Sequence, residues 1–110
     1  TSFSKDKGKM LENMAFLGLR RKYQRIFYFQ DKAECDFIIK EKEKITKAIQ
    51  VCFDFNEETK VREIKGLVSA LRYFNLKEGL ILTYNQEDEF FLEGKKIILK
   101  PLWKWLINSD

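Results

Sequence analysis

Apolar residues recur at helical spacing over residues 9–22, where Met10, Leu11, Met14, Ala15, Leu17 and Gly18 make a broad apolar face. Arg20, Arg21 and Lys22 then suit the negative end of a helix dipole. The aromatic run Arg25–Gln30 is β-prone, and residues 34–40 and 45–55 predict two further strands joined by a charged hairpin at Glu41–Lys44. The clearest helical period lies over 57–74, with Val61, Ile64, Leu67, Val68, Leu71 and Phe74 in line. Asn56 is placed to cap its start and Asn75 to stop it. Leu80-Ile81-Leu82 does not alternate, which suits an interior strand covered on both faces. Residues 89–93 and 96–100 predict a hairpin turning at Gly94, after which Pro101 opens a short helix carrying Trp103 and Leu106.

The expected order is α-β-β-β-α-β, then a hairpin and a short helix. Such an order folds as a three-layer α/β domain with a central mixed sheet flanked by helices. With 110 residues, 45% hydrophobic and 15% aromatic, the chain suffices for one domain with one core over 1–110. No apolar run approaches the roughly 18 residues of a membrane span. The opening Thr1-Ser2-Phe3-Ser4 suggests a piece cut from a longer protein.

Charge narrows the chemistry only slightly. The formal net charge is +4, compatible with an anionic partner without demanding one. There is no His, so Ser-His and Cys-His nucleophiles are excluded within this chain, along with the commonest transition-metal ligand. Cys35 and Cys52 sit in separate apolar runs with no CxxC, and are expected as reduced core residues of an intracellular protein. No GxxxxGK[ST] phosphate loop occurs.

Strand alternation brings polar residues together. On 33–40, Cys35, Phe37 and Ile39 are expected on one face, with Glu34, Asp36 and Ile38 on the other. On 45–55, Ile49, Val51, Phe53 and Phe55 oppose Ala48, Gln50, Cys52 and Asp54. Pairing as a hairpin would put Asp36 and Gln50 on one face. Glu12 lies in line with Phe16 and Leu19 on the first helix; it either edges the core beside a cation or serves a polar site. Arg62, Lys65, Ser69 and Arg72 form a stripe on the second helix, readable as a phosphate-binding track or as a solvated face. Phe27, Tyr28 and Phe29 would either stack on bases or pack, and Tyr84 would pack with a wetted hydroxyl.

Several blocks carry a family resemblance: Gly8-Lys9-Met10-Leu11-Glu12-Asn13, Glu34-Cys35-Asp36-Phe37, Ala48-Ile49-Gln50-Val51-Cys52-Phe53, Arg62-Glu63-Ile64-Lys65-Gly66-Leu67, Leu82-Thr83-Tyr84 and Pro101-Leu102-Trp103-Lys104-Trp105-Leu106. In this order they resemble an uncharacterised C-terminal domain that follows the ATPase module of prokaryotic AAA-type ATPases. The resemblance implies a restriction-endonuclease-like fold of the PD-(D/E)XK superfamily, whose members hold Mg²⁺ between a helix Glu, a strand Asp and a strand (D/E)xK. Carried over, Glu12 is the helix Glu and Asp36 the strand Asp. Gln50 falls where the second carboxylate belongs, and Cys52 where the lysine belongs. Glu12, Asp36 and Gln50 would then be the metal ligands, with Lys65 a migrated lysine. Arg62, Lys65 and Arg72 would be the contacts to DNA. ATP would be bound by the ATPase module of the same protein, in the cytoplasm. The implied role is an accessory domain with a degenerate site that binds nucleic acid or a partner. The alternative is an active Mg²⁺-dependent endonuclease of the Holliday-junction-resolvase kind.

Overall fold

The computed structural model describes residues 2–108; Thr1, Ser109 and Asp110, the outermost residues of the expected domain, lie outside them. The elements run α1 (Ser2–Lys22), β1 (Arg25–Gln30), β2 (Glu34–Glu41), β3 (Lys44–Val51), α2 (Lys60–Tyr73), β4 (Glu78–Thr83), β5 (Asp88–Leu92), β6 (Lys95–Pro101) and α3 (Leu102–Asn108). All six strands join one sheet in the order β1-β2-β3-β4-β6-β5. The first three form an antiparallel meander. The chain then crosses through α2 to lay β4 parallel to β3, and β6 runs parallel to β4 with β5 antiparallel at its side. The radius of gyration, 13.1 Å, is that of a compact chain of this length. No helix among the described residues is long and apolar enough to cross a membrane.

Two apolar layers hold the helices to the sheet. On one face Leu11, Ala15 and Leu19 of α1 and Leu102 of α3 meet Phe37, Ile39, Ile49 and Leu82. On the other, Leu67, Val68, Ala70 and Leu71 of α2 meet Ile38, Ala48, Ile81 and Ile97. Adjacent Ile81 and Leu82 thus face opposite layers, which is why this stretch shows no alternation. Each fully buried Leu or Ile contributes about 1.5–3 kcal/mol.

Several boundaries and faces differ from expectation. Helix α1 begins near Ser2, a turn and more before its apolar period, and only part of its broad face is core: Met10, Met14 and Leu17 are exposed. Strand β3 ends at Val51, although Cys52 N–H still bonds Leu82 O at 2.9 Å. The chain then turns, so Phe55 packs on the α2 side rather than with Ile49. Asn56 shapes that turn instead of capping α2 directly; its Oδ1 accepts the N–H groups of Glu58 and Thr59 at 2.8 and 3.0 Å, and α2 starts at Lys60. At the other end Asn75 does stop the helix, with φ 57. Asn75 N–H bonds Arg72 O and Leu76 N–H bonds Leu71 O, the paired closing bonds of a left-handed cap. The last hairpin turns through Glu93 and Gly94, both at positive φ, 52 and 77. Pro101 closes β6 rather than opening α3.

The face assignment of Cys35 is corrected. Between the pairs Phe27–Ile38 and Phe29–Cys35, one residue of β1, Tyr28, faces two of β2, Asp36 and Phe37, so β2 carries one extra residue there. This bulge turns Cys35 into the α2 layer while Phe37 and Ile39 stay on the α1 side.

Candidate functional site

The bulge is where β2 and β3 part. Their ladder ends at Phe37 and Ile49, leaving main-chain groups of the next residues without strand partners. Two side chains replace the missing ladder. Asp36 N–H donates to Gln50 Oε1 at 2.8 Å, and Val51 N–H donates to Asp36 Oδ2 at 2.8 Å. Gln50, 2% exposed, also donates from Nε2 to the carbonyls of Glu34 and Glu63, both at 3.0 Å. One amide thus ties β2, β3 and α2 together. It can do so because Gly66 lets α2 come close: a Cβ there would lie 1.8 Å from Glu34 O and 2.6 Å from Gln50 Nε2.

Beside this junction is a cleft of about 580 Å³, lined by Glu34, Asp36, Gln50, Arg62, Glu63 and Lys65 among others. Three of the four expected catalytic residues, Asp36, Gln50 and Lys65, are therefore together. Glu12 is half-buried on α1 and not part of the lining, though its charge reaches the Asp36 and Glu63 carboxyls. It forms no ion pair among the described residues, so the core-edge pairing with a cation is not found. Of the basic stripe, Arg62 pairs with Glu63 at 3.1 Å, and Arg72 pairs with Glu93 over a neighbouring groove. Lys65 is exposed between the two cavities and pairs with no carboxylate among the described residues.

The electrostatics are those of crowded carboxylates. Burial pushes the Asp36 carboxyl up to about 7; the Val51 N–H bond opposes this, and the charges of Glu12, Glu63 and Glu34 add to it. Glu63 is raised by burial against the pull of Arg62. Tyr28 is raised to about 12, chiefly by its hydrogen bond to Glu34. Sequence reasoning gave Glu63 no role of its own, placed Glu34 only as a neighbour of Asp36 on its strand face, and offered Tyr28 only for stacking on bases or packing. Glu63 was findable, since it shares the line of Gly66, Leu67 and Ala70 on α2.

The chemistry available is limited. Gln50 Oε1 is already engaged by a main-chain N–H, and one Asp36 oxygen likewise. Among the described residues no three His, Cys, Asp or Glu come together as a group that could hold a metal ion. This donor set does not fit a hard cation that prefers several free oxygens. Cys52, 6% exposed, directs Sγ to Asp54 O and Thr59 Oγ1, and burial raises its thiol; neither the thiol nor the thiolate offers a positive charge. Cys35 is likewise free and buried, its thiol pushed up to about 12 by burial. Among the aromatics, Phe29 is core, packed on Tyr73 and Phe74, while Phe27 and Tyr28 are exposed. Tyr84 stacks on Phe53 at 4.8 Å.

A pH dependence follows. The folded-state pKa of Asp36 lies above the unfolded value of about 3.9, so the folded state holds the proton more tightly. Its effect on stability is absent below pH about 4 and becomes steadily more unfavourable as pH rises towards 7. Asp36→Asn keeps an oxygen acceptor for Val51 N–H and removes the charge. It is expected to raise stability at pH 7.5 by about 1–3 kcal/mol and to leave it unchanged near pH 4. Urea unfolding at the two pH values checks this.

Residues 7–105 match a family described as "Domain of unknown function (DUF4143)". The chain is also 40% identical, over 118 aligned positions, to the uncharacterized protein MJ1544 of Methanocaldococcus jannaschii. That alignment covers 97% of this chain and 26% of the archaeal protein, so the chain spans about a quarter of its relative's length. With the match running from the first turns of α1 into α3, the chain belongs to the DUF4143 family.

Proposed function

We propose that this domain is a restriction-endonuclease-like module of an AAA-type ATPase that has kept the PD-(D/E)XK architecture, lost cleavage and acts by binding nucleic acid or a partner. The observation that carries this reading is Gln50. It stands at the position of the second carboxylate, and all its hydrogen bonds go to main-chain groups. Cys52, at the lysine position, is buried and uncharged in role. The order α1-β1-β2-β3-α2-β4 and the meeting of Asp36 with Gln50 at the parting strands agree with descent from such a nuclease. ATP would be bound outside this chain, and the protein would work in the cytoplasm.

The test is incubation with branched and duplex DNA in Mg²⁺ or Mn²⁺. The expected result is no cleavage, with Asp36→Ala indistinguishable from the parent. Divalent-ion-dependent cleavage that Asp36→Ala abolishes would overturn the reading. It would establish instead an endonuclease of the Holliday-junction-resolvase kind, which the presence of Lys65 in the same cleft as Asp36 favours. In the nucleic-acid form of our reading, duplex DNA lies along Arg62, Lys65 and Arg72. Binding should then weaken with salt and fall at least about tenfold in the Arg62→Glu, Lys65→Glu, Arg72→Glu variant. Filter binding at two salt concentrations measures this, and unchanged binding removes the stripe from the interface.

A further inference from the structure

The end strand of the sheet is open. Among the described residues β5 pairs with β6 alone. Its sequence, Asp-Glu-Phe-Phe-Leu, carries charge only at its start, and Phe91 is 70% exposed. Edge strands are normally blunted by charge, proline or a cover. The turn fixes which main-chain groups are free. Across a two-residue turn, Leu92 and Lys95 form the hydrogen-bonded pair, so Phe91 and Lys96 form the non-bonded one. Lys96 N–H indeed points away from β5, to Lys77 O at 2.9 Å. The N–H and C=O of Phe91 therefore face the open edge, and by the same alternation so do those of Glu89.

Next to this edge, on the α2 face, runs a groove of about 710 Å³. Phe90 and Leu92 of β5 line one bank, with Val61 and Ile64 of α2 across from them. Lys32 and Lys65 also line it, and neither pairs with a carboxylate among the described residues. Asp88 of β5 and Glu93 line it too, Glu93 being paired with Arg72, so the lining side chains without a carboxylate or cation partner among the described residues are two lysines and one aspartate.

We propose that the β5 edge and this groove form a docking site for an extended strand of a partner protein, with apolar residues at alternate positions and acidic residues that reach Lys32 and Lys65. An added strand bonds to the main chain of Glu89 and Phe91, and every second side chain enters the groove. The proposal rests on the reading that the domain acts by binding, and it names the partner. Nucleic acid fits less well: it leaves the amide edge unmatched, and Arg72 and Lys60 already have carboxylate partners, Glu93 and Glu57.

The test titrates the 110-residue chain with the fluorescent peptide Glu-Glu-Val-Thr-Val-Thr-Glu-Glu and its twin with lysines for glutamates, by fluorescence polarisation. The acidic peptide should bind at least about tenfold more tightly than its twin, and Lys32→Glu with Lys65→Glu should reverse that preference. Phe91→Pro leaves the β6 ladder intact, since the lost N–H faces outward, and should weaken binding at least about tenfold. Val61→Glu, at a position 68% exposed, should do the same by charging the groove without touching the core. Equal binding of the two peptides, no binding of either, or full binding by both single variants would overturn the proposal. So would a dimer that Phe91→Pro dissolves, or an oligonucleotide whose binding depends on Phe91 and Val61. DNA cleavage would overturn the binding-only function and leave these titrations standing; failed titrations would leave that function intact.

Discussion

Gln50→Glu is expected to destabilise the folded domain by roughly 3–5 kcal/mol at neutral pH, and to give no cleavage. The substitution puts a carboxylate where the proposed nuclease kinship would have one, yet the surroundings are shaped for an amide. Nε2 donates to the carbonyls of Glu34 and Glu63, and a carboxylate would set negative charge against both. It would also add a buried anion to a cleft that already holds Asp36 and Glu63. The loss should shrink at acid pH, where a protonated glutamate can donate one of the two bonds. Urea midpoints at pH 7.5 and pH 4.5, alongside a nuclease assay in Mg²⁺, measure both parts. A variant as stable as the parent at pH 7.5 would mean that these bonds do not hold β2, β3 and α2 together.

Gly66→Ala should cost about 3 kcal/mol or more. The added Cβ would lie 1.8 Å from Glu34 O, a main-chain atom that no rotamer change can move aside. Helix α2 must then back away from β2, and the Gln50 bonds lengthen with it. Gly8→Ala is the control. Gly8 is also in a helix, but a Cβ there meets nothing within 4 Å, so alanine should add about 0.5–1 kcal/mol. Thermal unfolding of the two variants should move the midpoint in opposite directions. Equal midpoints would remove the close approach of α2 as a determinant of the fold.

Much of this architecture was legible in the chain. The helical period over α2 and the unalternating Leu80-Ile81-Leu82 placed the crossover and the strand after it. Alternation put Asp36 and Gln50 on one face if the strands paired as a hairpin, and both line the cleft, but their contact runs through the Asp36 main-chain N–H at the bulge. The site's finer geometry was not legible, for identifiable reasons. The β2 bulge has no local signature, being imposed by pairing with β1, and it moved Cys35 to the other layer. Gln50 looked like a ligand because residue type says nothing about which main-chain groups lie within reach. Glu63 was overlooked although it shares the buried line of α2, the same argument that had drawn attention to Glu12. The mixed apolar face of α1 could not be divided into core and surface without knowing where α3 docks.

The sheet also has a seam with kinetic meaning. The meander β1-β2-β3 and the unit β4-β5-β6 each close over short stretches of chain. They join through the β3–β4 pairing centred on Ile49–Leu80, Gln50–Ile81 and Val51–Leu82. Two such halves can form quickly from nearby residues, whereas bringing them together must wait for the α2 crossover to close a long loop. Refolding is then limited by the zipping of the two halves rather than by either one, and α2, packed across the join, is the clasp that makes the domain melt as one unit.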